Sequence, residues 1–351
     1  FTTMLMATLV DEGLMDWDTK VVDILPTFAV QDPAVTDVLT VRNLVCACTG
    51  VPRRDLEWVF ETDTPQEIVE SLRGYTFFTD FGEAFQYSNQ MVATGGYMAA
   101  LVAGGSYDTL FDDYTAELQQ RVLDPIGMPN TTFSFEQVLA SGSYATPHGI
   151  DFLGDYYILP LRTEELLLSI APAGALWSNV QDMARYLITE LNEGIAPDGK
   201  RVVSAENLQV TWEPQVEVTA DISYGLGWLV DEYHGLQMLQ HGGNTFGFTS
   251  DFAFLPEADL GIVILANARL ANVFTEAART KLLSLVFQQE SEYDSVMDYL
   301  LEQDAQAVAE LKAQLQDTYD AASITPYLGT FSNDILGDIT ISEQDGKLML
   351  D

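Results

Sequence analysis

Three short stretches carry residue types that could do chemistry. Phe85-Gln86-Tyr87-Ser88-Asn89 puts a phenol, a hydroxyl and an amide at the start of a small, apolar segment. Ser88 or Asn89 could equally cap a helix there, with Tyr87 as a packing residue. His241-Gly242-Gly243-Asn244 follows a run with strand character, and Gly247-Phe248 comes shortly after. Two glycines at a strand edge let a ligand or another backbone approach closely, although a glycine hairpin with a surface histidine would read the same way. Cys46-Ala47-Cys48-Thr49-Gly50-Val51-Pro52 is a tight turn, in which the cysteines read as two small buried thiols. Two cysteines make neither a disulfide framework nor a zinc site. His148, His234 and His241 are scattered, and no His-Glu-x-x-His is present, so a metalloenzyme is a poor reading and no metal or other cofactor is expected.

The elements that must position these residues follow from periodicity and turn chemistry. Phe1 to Leu14 reads as a helix that is apolar nearly all round, hence buried, with Gly13 as its stop signal. Asp16 to Leu25 is a turn and short helix. Thr40 caps a helix running to Cys46. Thr64-Pro65-Gln66-Glu67 combines an N-cap, a proline at the first helical position and a reciprocating Glu. Ser88 to Ala103 is a tightly packed helix containing Gly95-Gly96. Thr109 to Val122 is amphipathic, and so is Asn179 to Glu193, where Val180, Met183, Ala184, Leu187 and Leu191 share a side.

From Tyr224 the period changes. Gly225–Val230, Leu236–His241, Ser250–Leu255 and Gly261–Ala266 read as four successive strands, followed by a helix over Asn272–Gln288 and a charged helical stretch over Ser291–Thr318. Tyr327–Phe331, Gly337–Ser342 and Lys347–Asp351 read as three more strands, with a turn at Gln344-Asp345-Gly346. The fold class is α+β: an antiparallel sheet flanked by helices plus a helical subdomain, followed by the start of a small β-barrel. The expected domains are 1–290, a helical linker over 291–322, and a barrel fragment over 323–351. A helix without a cap at one end, and three strands without a partner sheet at the other, suggest a piece of a longer polypeptide.

Composition closes off whole classes of function. The 351 residues include 53 acidic and 15 basic ones, a formal charge of −38. Such a chain repels phosphate backbones, so nucleic acid is not a partner. No run of about 18 uncharged apolar residues occurs, so membrane insertion is not expected either. The charge is spread along the chain and reads as a strongly hydrated surface.

Taken together, the motifs resemble the serine β-lactamase and penicillin-binding-protein superfamily, in particular its branch of class C-like β-lactamases, D-peptidases and esterases. The resemblance rests on Leu9-Val10-Asp11-Glu12-Gly13-Leu14, Val21-Val22-Asp23-Ile24-Leu25-Pro26, and Thr40-Val41-Arg42-Asn43-Leu44-Val45 with Thr49-Gly50-Val51-Pro52. It continues through Tyr87-Ser88-Asn89, Asp182-Met183-Ala184-Arg185, Tyr224-Gly225-Leu226-Gly227-Trp228 and His241-Gly242-Gly243. It covers about residues 1 to 288, and the tail resembles the first strands of the small β-barrel that some members carry. The family's first motif, Ser-x-x-Lys, sets a lysine amine one helical turn from a nucleophilic serine. It is not in this sequence: the residues three before the lysines are Trp17, Pro197, Ala278, Ala309 and Gln344. The resemblance places it just upstream of Phe1.

The same resemblance implies the remaining roles. Tyr87 would be the general base and acid, and Asn89 would hydrogen-bond the substrate amide or the lysine. His241 holds the third-motif position, which is Lys in β-lactamases. Gly242 and Gly243 would let substrate lie along the strand, and the Asn244 N–H would be an oxyanion donor. Histidine is a weak partner for a substrate carboxylate at neutral pH. The expectation is therefore a serine hydrolase acting through an acyl-enzyme on a small ester, amide or peptide, like an esterase or D-aminopeptidase. β-Lactamase or DD-peptidase activity, or an inactive binding protein of the same fold, are the alternatives. A periplasmic or secreted location goes with the family, and the oligomeric state is left open.

Overall fold

A computed structural model describes residues 1–61, 63–289, 293–315, 320–333, 337–344 and 346–350. The helices that matter here are α1 (Thr2–Asp11), α2 (Val41–Val45), α3 (Asp55–Glu61), α4 (Pro65–Ser71), α5 (Asn89–Val102), α6 (Leu110–Leu118), α7 (Val180–Leu191), α8 (Asn272–Val286) and α9 (Tyr293–Gln314). α1 has the all-round apolar character read from sequence, and Thr2 through Leu9 are all buried. α4 begins with the expected capping box: the Thr64 N–H donates to Glu67 Oε2 at 2.7 Å, and the Glu67 N–H returns to Thr64 Oγ1 at 3.3 Å. α6 does not stop near Val122. It passes through a wider π turn, Gln119–Leu123, into Asp124–Ile126 and ends at Gly127 in the left-handed region.

β1 (His148–Ile150) and β2 (Tyr156–Ile158) form a hairpin inside the turn-rich stretch. The main sheet is an antiparallel meander of β3 (Val216–Glu217), β4 (Ser223–Tyr224), β5 (Leu229–Tyr233), β6 (Leu236–Asn244), β7 (Thr249–Leu255) and β8 (Leu260–Ala266). It has six strands, not four, because β3 and β4 are two residues each, too short to show a period. The expected strand Gly225–Val230 is divided: the Gly225 N–H bonds back to Trp228 O at 2.7 Å, and Gly227 takes φ 87° to make that turn.

Alternation along the sheet separates two cores. Leu239 and Phe254 face the helices and join the principal core with Met4, Leu5, Tyr97 and Trp228. Met238, Ala253, Leu255 and Ile262 face the other way, where Leu283 of α8 covers them. β9 (Gly329–Asn333), β10 (Gly337–Gln344) and β11 (Lys347–Leu350) form a separate three-stranded antiparallel sheet. Tyr327 stands before it in a tight helical turn. Ser291, Thr318, Asp345 and Asp351, which fell within expected elements, lie outside the described residues. No helix among the described residues is long and apolar enough to cross a membrane.

Candidate active site

Tyr87 is placed by a template of carbonyls. The turn after α2 offers Ala47 O to Gln86 N–H at 2.7 Å, Cys48 O to Gly82 N–H at 2.8 Å and Gly50 O to Phe78 N–H at 2.9 Å. Gly50 takes φ 78°, and a Cβ there would stand 2.1 Å from Thr79 O, so no other residue fits so close to the second segment. The same turn corrects one expectation. Cys46 and Cys48 are not free thiols but a disulfide-bonded pair. Ala47 between them takes φ 52°, which folds the chain back and leaves the two Cα atoms 5.2 Å apart, within the usual bridging range.

Ser88 is the N-cap residue of α5, but its hydroxyl does not cap the helix. It donates to Pro52 O at 3.2 Å, tying the start of α5 to the turn that carries Tyr87. Asn89 follows, and its Nδ2 donates to Asp55 Oδ1 at 3.0 Å. The same carboxylate accepts the Trp58 indole N–H at 3.3 Å and pairs with Arg53. The Arg53 guanidinium lies 5.8 Å from the centre of the Tyr87 ring.

The opposite wall is the open part of β6. β5 pairs with Leu236 through Gln240 and ends there, whereas β7 continues along Leu239 to Asn244. His241, Gly242, Gly243 and Asn244 are thus bonded to a neighbouring strand on one side only. The Thr245 N–H donates to Phe248 O at 3.0 Å, which makes that pair hydrogen-bonded. By the alternation of an antiparallel ladder, the next pair, Asn244 with Thr249, is not. The N–H of Asn244, and the N–H and C=O of Gly242, therefore point out of the ladder along the open edge.

The two walls meet. The rings of Tyr87 and His241 are 6.2 Å apart, and each packs against Tyr224 at 6.2 and 6.0 Å. His241 Nδ1 donates to Gly242 O at 2.7 Å, and the Tyr224 hydroxyl donates to Nε2 at 3.2 Å. Both ring nitrogens are committed within the protein. Burial pushes the imidazole below its ordinary pKa, so His241 is neutral at pH 7. Burial raises the Tyr87 phenol, with Arg53 pulling the other way. At the start of α1, Thr3 packs on Gly227 in the turn that follows Tyr224, and the Phe1 ring stacks at 4.2 Å on Tyr186.

The Asn244 side chain turns away from the site. Oδ1 accepts from Thr249 Oγ1 at 2.8 Å and from the Leu270 N–H at 3.0 Å, and Nδ2 donates to Asn272 at 2.7 Å. His148 bonds Asn267 O at 2.8 Å, and His234 sits in the β5–β6 turn with φ 50°; neither joins the site. Sequence reasoning gave no role to Tyr224, Asp55 or Arg53. Tyr224 stood in a quoted motif, but its bond to His241 exists only once β4, β5 and β6 pair.

Comparisons with known proteins bear on the fold and the family. The chain is 25 % identical over 293 residues to an unguisins hydrolase from Aspergillus campestris, covering 79 % of this chain and 52 % of that one. It thus spans about half the length of that relative. The fold is that of the octameric penicillin-binding protein homologue from Pyrococcus abyssi, at a TM-score of 0.70 and 18 % identity over 99 % of this chain and 73 % of the other. The D-amino acid amidase from Ochrobactrum anthropi follows at a TM-score of 0.59 and 20 % identity, over 76 % of this chain and 73 % of the other. The Beta-lactamase family model matches residues 1–286. With a helical wall and an open strand edge converging on Tyr87 and His241, and a family match over most of its length, this chain belongs to the beta-lactamase family.

Proposed function

We propose that the protein to which this chain belongs is a serine hydrolase that works through an acyl-enzyme on neutral esters or amides. The observation that carries this is the state of His241. It is uncharged, one nitrogen donates to Gly242 O and the other accepts from Tyr224, so it has nothing to give a substrate carboxylate. Arg53 is paired with Asp55. A substrate that needs a cation for a carboxylate, as β-lactams and D-Ala-terminated peptides do, is poorly served. An ester, a primary amide or an internal peptide bond is not penalised. The amidase and hydrolase names among the relatives support the same class.

In this reading the carbonyl oxygen of the substrate sits on the Asn244 N–H at the open edge of β6, sharing the oxyanion hole with the N–H of the nucleophilic serine. That serine and its lysine belong to a Ser-x-x-Lys expected immediately before α1. Tyr87 moves the proton from the serine to the leaving group. Its raised pKa keeps the proton on when only Arg53 is near, so it acts as a base only with a second cation beside it, the role of that lysine. Asn89, oriented by donating one amide N–H to Asp55, offers its oxygen to the lysine or to a substrate N–H.

The test is an assay of the full-length protein with a p-nitrophenyl short-chain ester, an amino-acid p-nitroanilide and a chromogenic β-lactam. Expected is turnover of the ester or anilide, blocked by a fluorophosphonate, with the β-lactam the poorest substrate by kcat/KM. A β-lactam turned over best would overturn the neutral-substrate reading. No fluorophosphonate-sensitive turnover of any of the three would favour a binding protein.

A further inference from the structure

The turn that follows Asn244 is gripped by a carboxylate outside every motif. Glu164, in the 3-10 helix Leu161–Ile170, is only 3 % exposed. Its Oε1 accepts the Gly247 N–H at 2.7 Å. Burying a carboxylate is costly unless its lone pairs are met, and here burial pushes the Glu164 carboxyl above its ordinary value although the Gly247 N–H pulls the other way. The Arg269 guanidinium lies 5.9 Å from the Phe246 ring in the same turn. The same turn is wedged from another side. The His148 N–H donates to Gly247 O at 3.1 Å, and a Cβ on Gly247 would stand 2.3 Å from the Pro147 Cβ.

The consequence lies one residue back. The peptide carrying the Asn244 N–H is held on one side by the ladder to β7. On its other side it runs into the Thr245–Phe248 turn, whose Gly247 N–H is fixed by Glu164. We infer that Glu164 is a positioning residue: through the Gly247 N–H it holds the turn that follows Asn244 and so fixes the strand end that carries the oxyanion donor. This rests on the hydrolase reading above. Displacement of a donor by about 1 Å is enough to cost two orders of magnitude in rate.

Two readouts separate this inference from the reading on which it rests. The first needs no activity: hydrogen exchange, by mass spectrometry, of peptides spanning 244–248 in the wild type, Glu164→Gln and Glu164→Ala. Expected is faster exchange confined to that segment, strongest in the alanine variant. Unchanged exchange would overturn the clamp. The second uses the full-length enzyme. Expected is a fall in kcat of about ten- to a hundredfold with KM within about twofold, smaller for Gln, which keeps one acceptor oxygen. Affinity for an alkyl boronic acid, whose tetrahedral adduct puts an oxygen in the oxyanion position, should fall by the same factor. A rise in KM at constant kcat, or full activity despite faster exchange, would overturn the positioning role. A wild-type protein with no serine-reagent-sensitive turnover would overturn the hydrolase reading and the positioning role together, while exchange would still report the clamp.

Discussion

The two walls of the site are made of different material. The helical wall acts through side chains: the Tyr87 phenol, the Asn89 amide, and the Arg53 and Asp55 charges that orient them. The sheet wall acts through backbone. Gly242 and Gly243 carry no side chain, the Asn244 side chain points elsewhere, and His241 is turned inward onto Tyr224. What the strand offers a substrate is the N–H groups of Gly242 and Asn244, since the Gly242 C=O is taken by His241 Nδ1. The walls should therefore answer differently to mutation. Deleting a side chain should cripple the first wall and spare the second, whereas removing an N–H should do the reverse.

The largest effects test that contrast directly, and all are read on the full-length enzyme. Tyr87→Phe deletes only the phenolic hydroxyl, the proton carrier of the proposed mechanism, and should lower kcat by two orders of magnitude or more. Asn244→Pro deletes the N–H together with the side chain, at an open edge where proline is tolerated, and should cost about a hundred- to a thousandfold beyond Asn244→Ala, which removes the side chain alone. Steady-state kinetics on a p-nitrophenyl ester decide both. An active Asn244→Pro enzyme with a native melting curve would remove the strand edge from the mechanism.

Asp55→Asn should have a smaller effect, about tenfold in kcat. The carboxylate holds Asn89 Nδ2 and the Trp58 indole, and its charge raises the Tyr87 pKa. Removing that charge should loosen Asn89 and shift the Tyr87 limb of the pH–rate profile to lower pH. A profile that does not move would show that Asp55 only packs the loop. Smaller still is Asn244→Ala, which keeps the N–H. It leaves the Leu270 N–H short of an acceptor, whereas the Thr249 hydroxyl still has Ala268 O at 2.7 Å, so stability should fall by about 1–2 kcal/mol. Activity should stay within about fivefold. A loss as large as that of Asn244→Pro would mean that the side chain, not the peptide, does the work.

The walls also differ in how far sequence reveals them. Buried α1, α4 with its capping box and the 3.6-residue pattern of α7 are local and were legible, as was the β6–β7–β8 meander. β3 and β4 were not, since two residues carry no period, and Gly227 hid a turn inside an apparent strand. At the site, Tyr87, Asn89 and the His241–Asn244 run stood out because glycines and polar residues interrupt apolar patterns there. Their partners did not. Tyr224 meets His241 across two strand pairings, Asp55 meets Asn89 across a loop, and Glu164 meets Gly247 from 83 residues away. Each of these bonds joins segments far apart in the chain and exists only in the folded protein, and no local signal marks a carboxylate that will be buried there. The Cys46–Cys48 bridge was missed for a related reason: it depends on the left-handed conformation of Ala47, which composition does not announce.

His241 in the sheet wall and Glu190 behind the site give stability opposite dependences on pH. Glu190, on α7 beneath the start of α1, is buried and accepts the Trp212 indole N–H at 3.1 Å. Burial pushes its carboxyl up to about 7, from an ordinary 4.5. Between those values the folded chain keeps a proton that the unfolded chain has released. By linkage, the contribution of Glu190 to stability is fully present below pH 4.5 and is lost as pH rises to 7. His241 works the other way: its pKa is depressed, so its contribution is present above pH 6.5 and declines as pH falls below that value. In the wild type the slopes partly cancel. Glu190→Gln removes one of them. The difference in unfolding free energy, wild type minus Glu190→Gln, should fall by about 1 kcal/mol per pH unit from pH 5 to 7 and then level off. Urea midpoints at fixed ionic strength measure it. A difference that is constant across that range would mean Glu190 titrates like a surface carboxylate, and a rising one would mean that it is ionised and paired in the folded state.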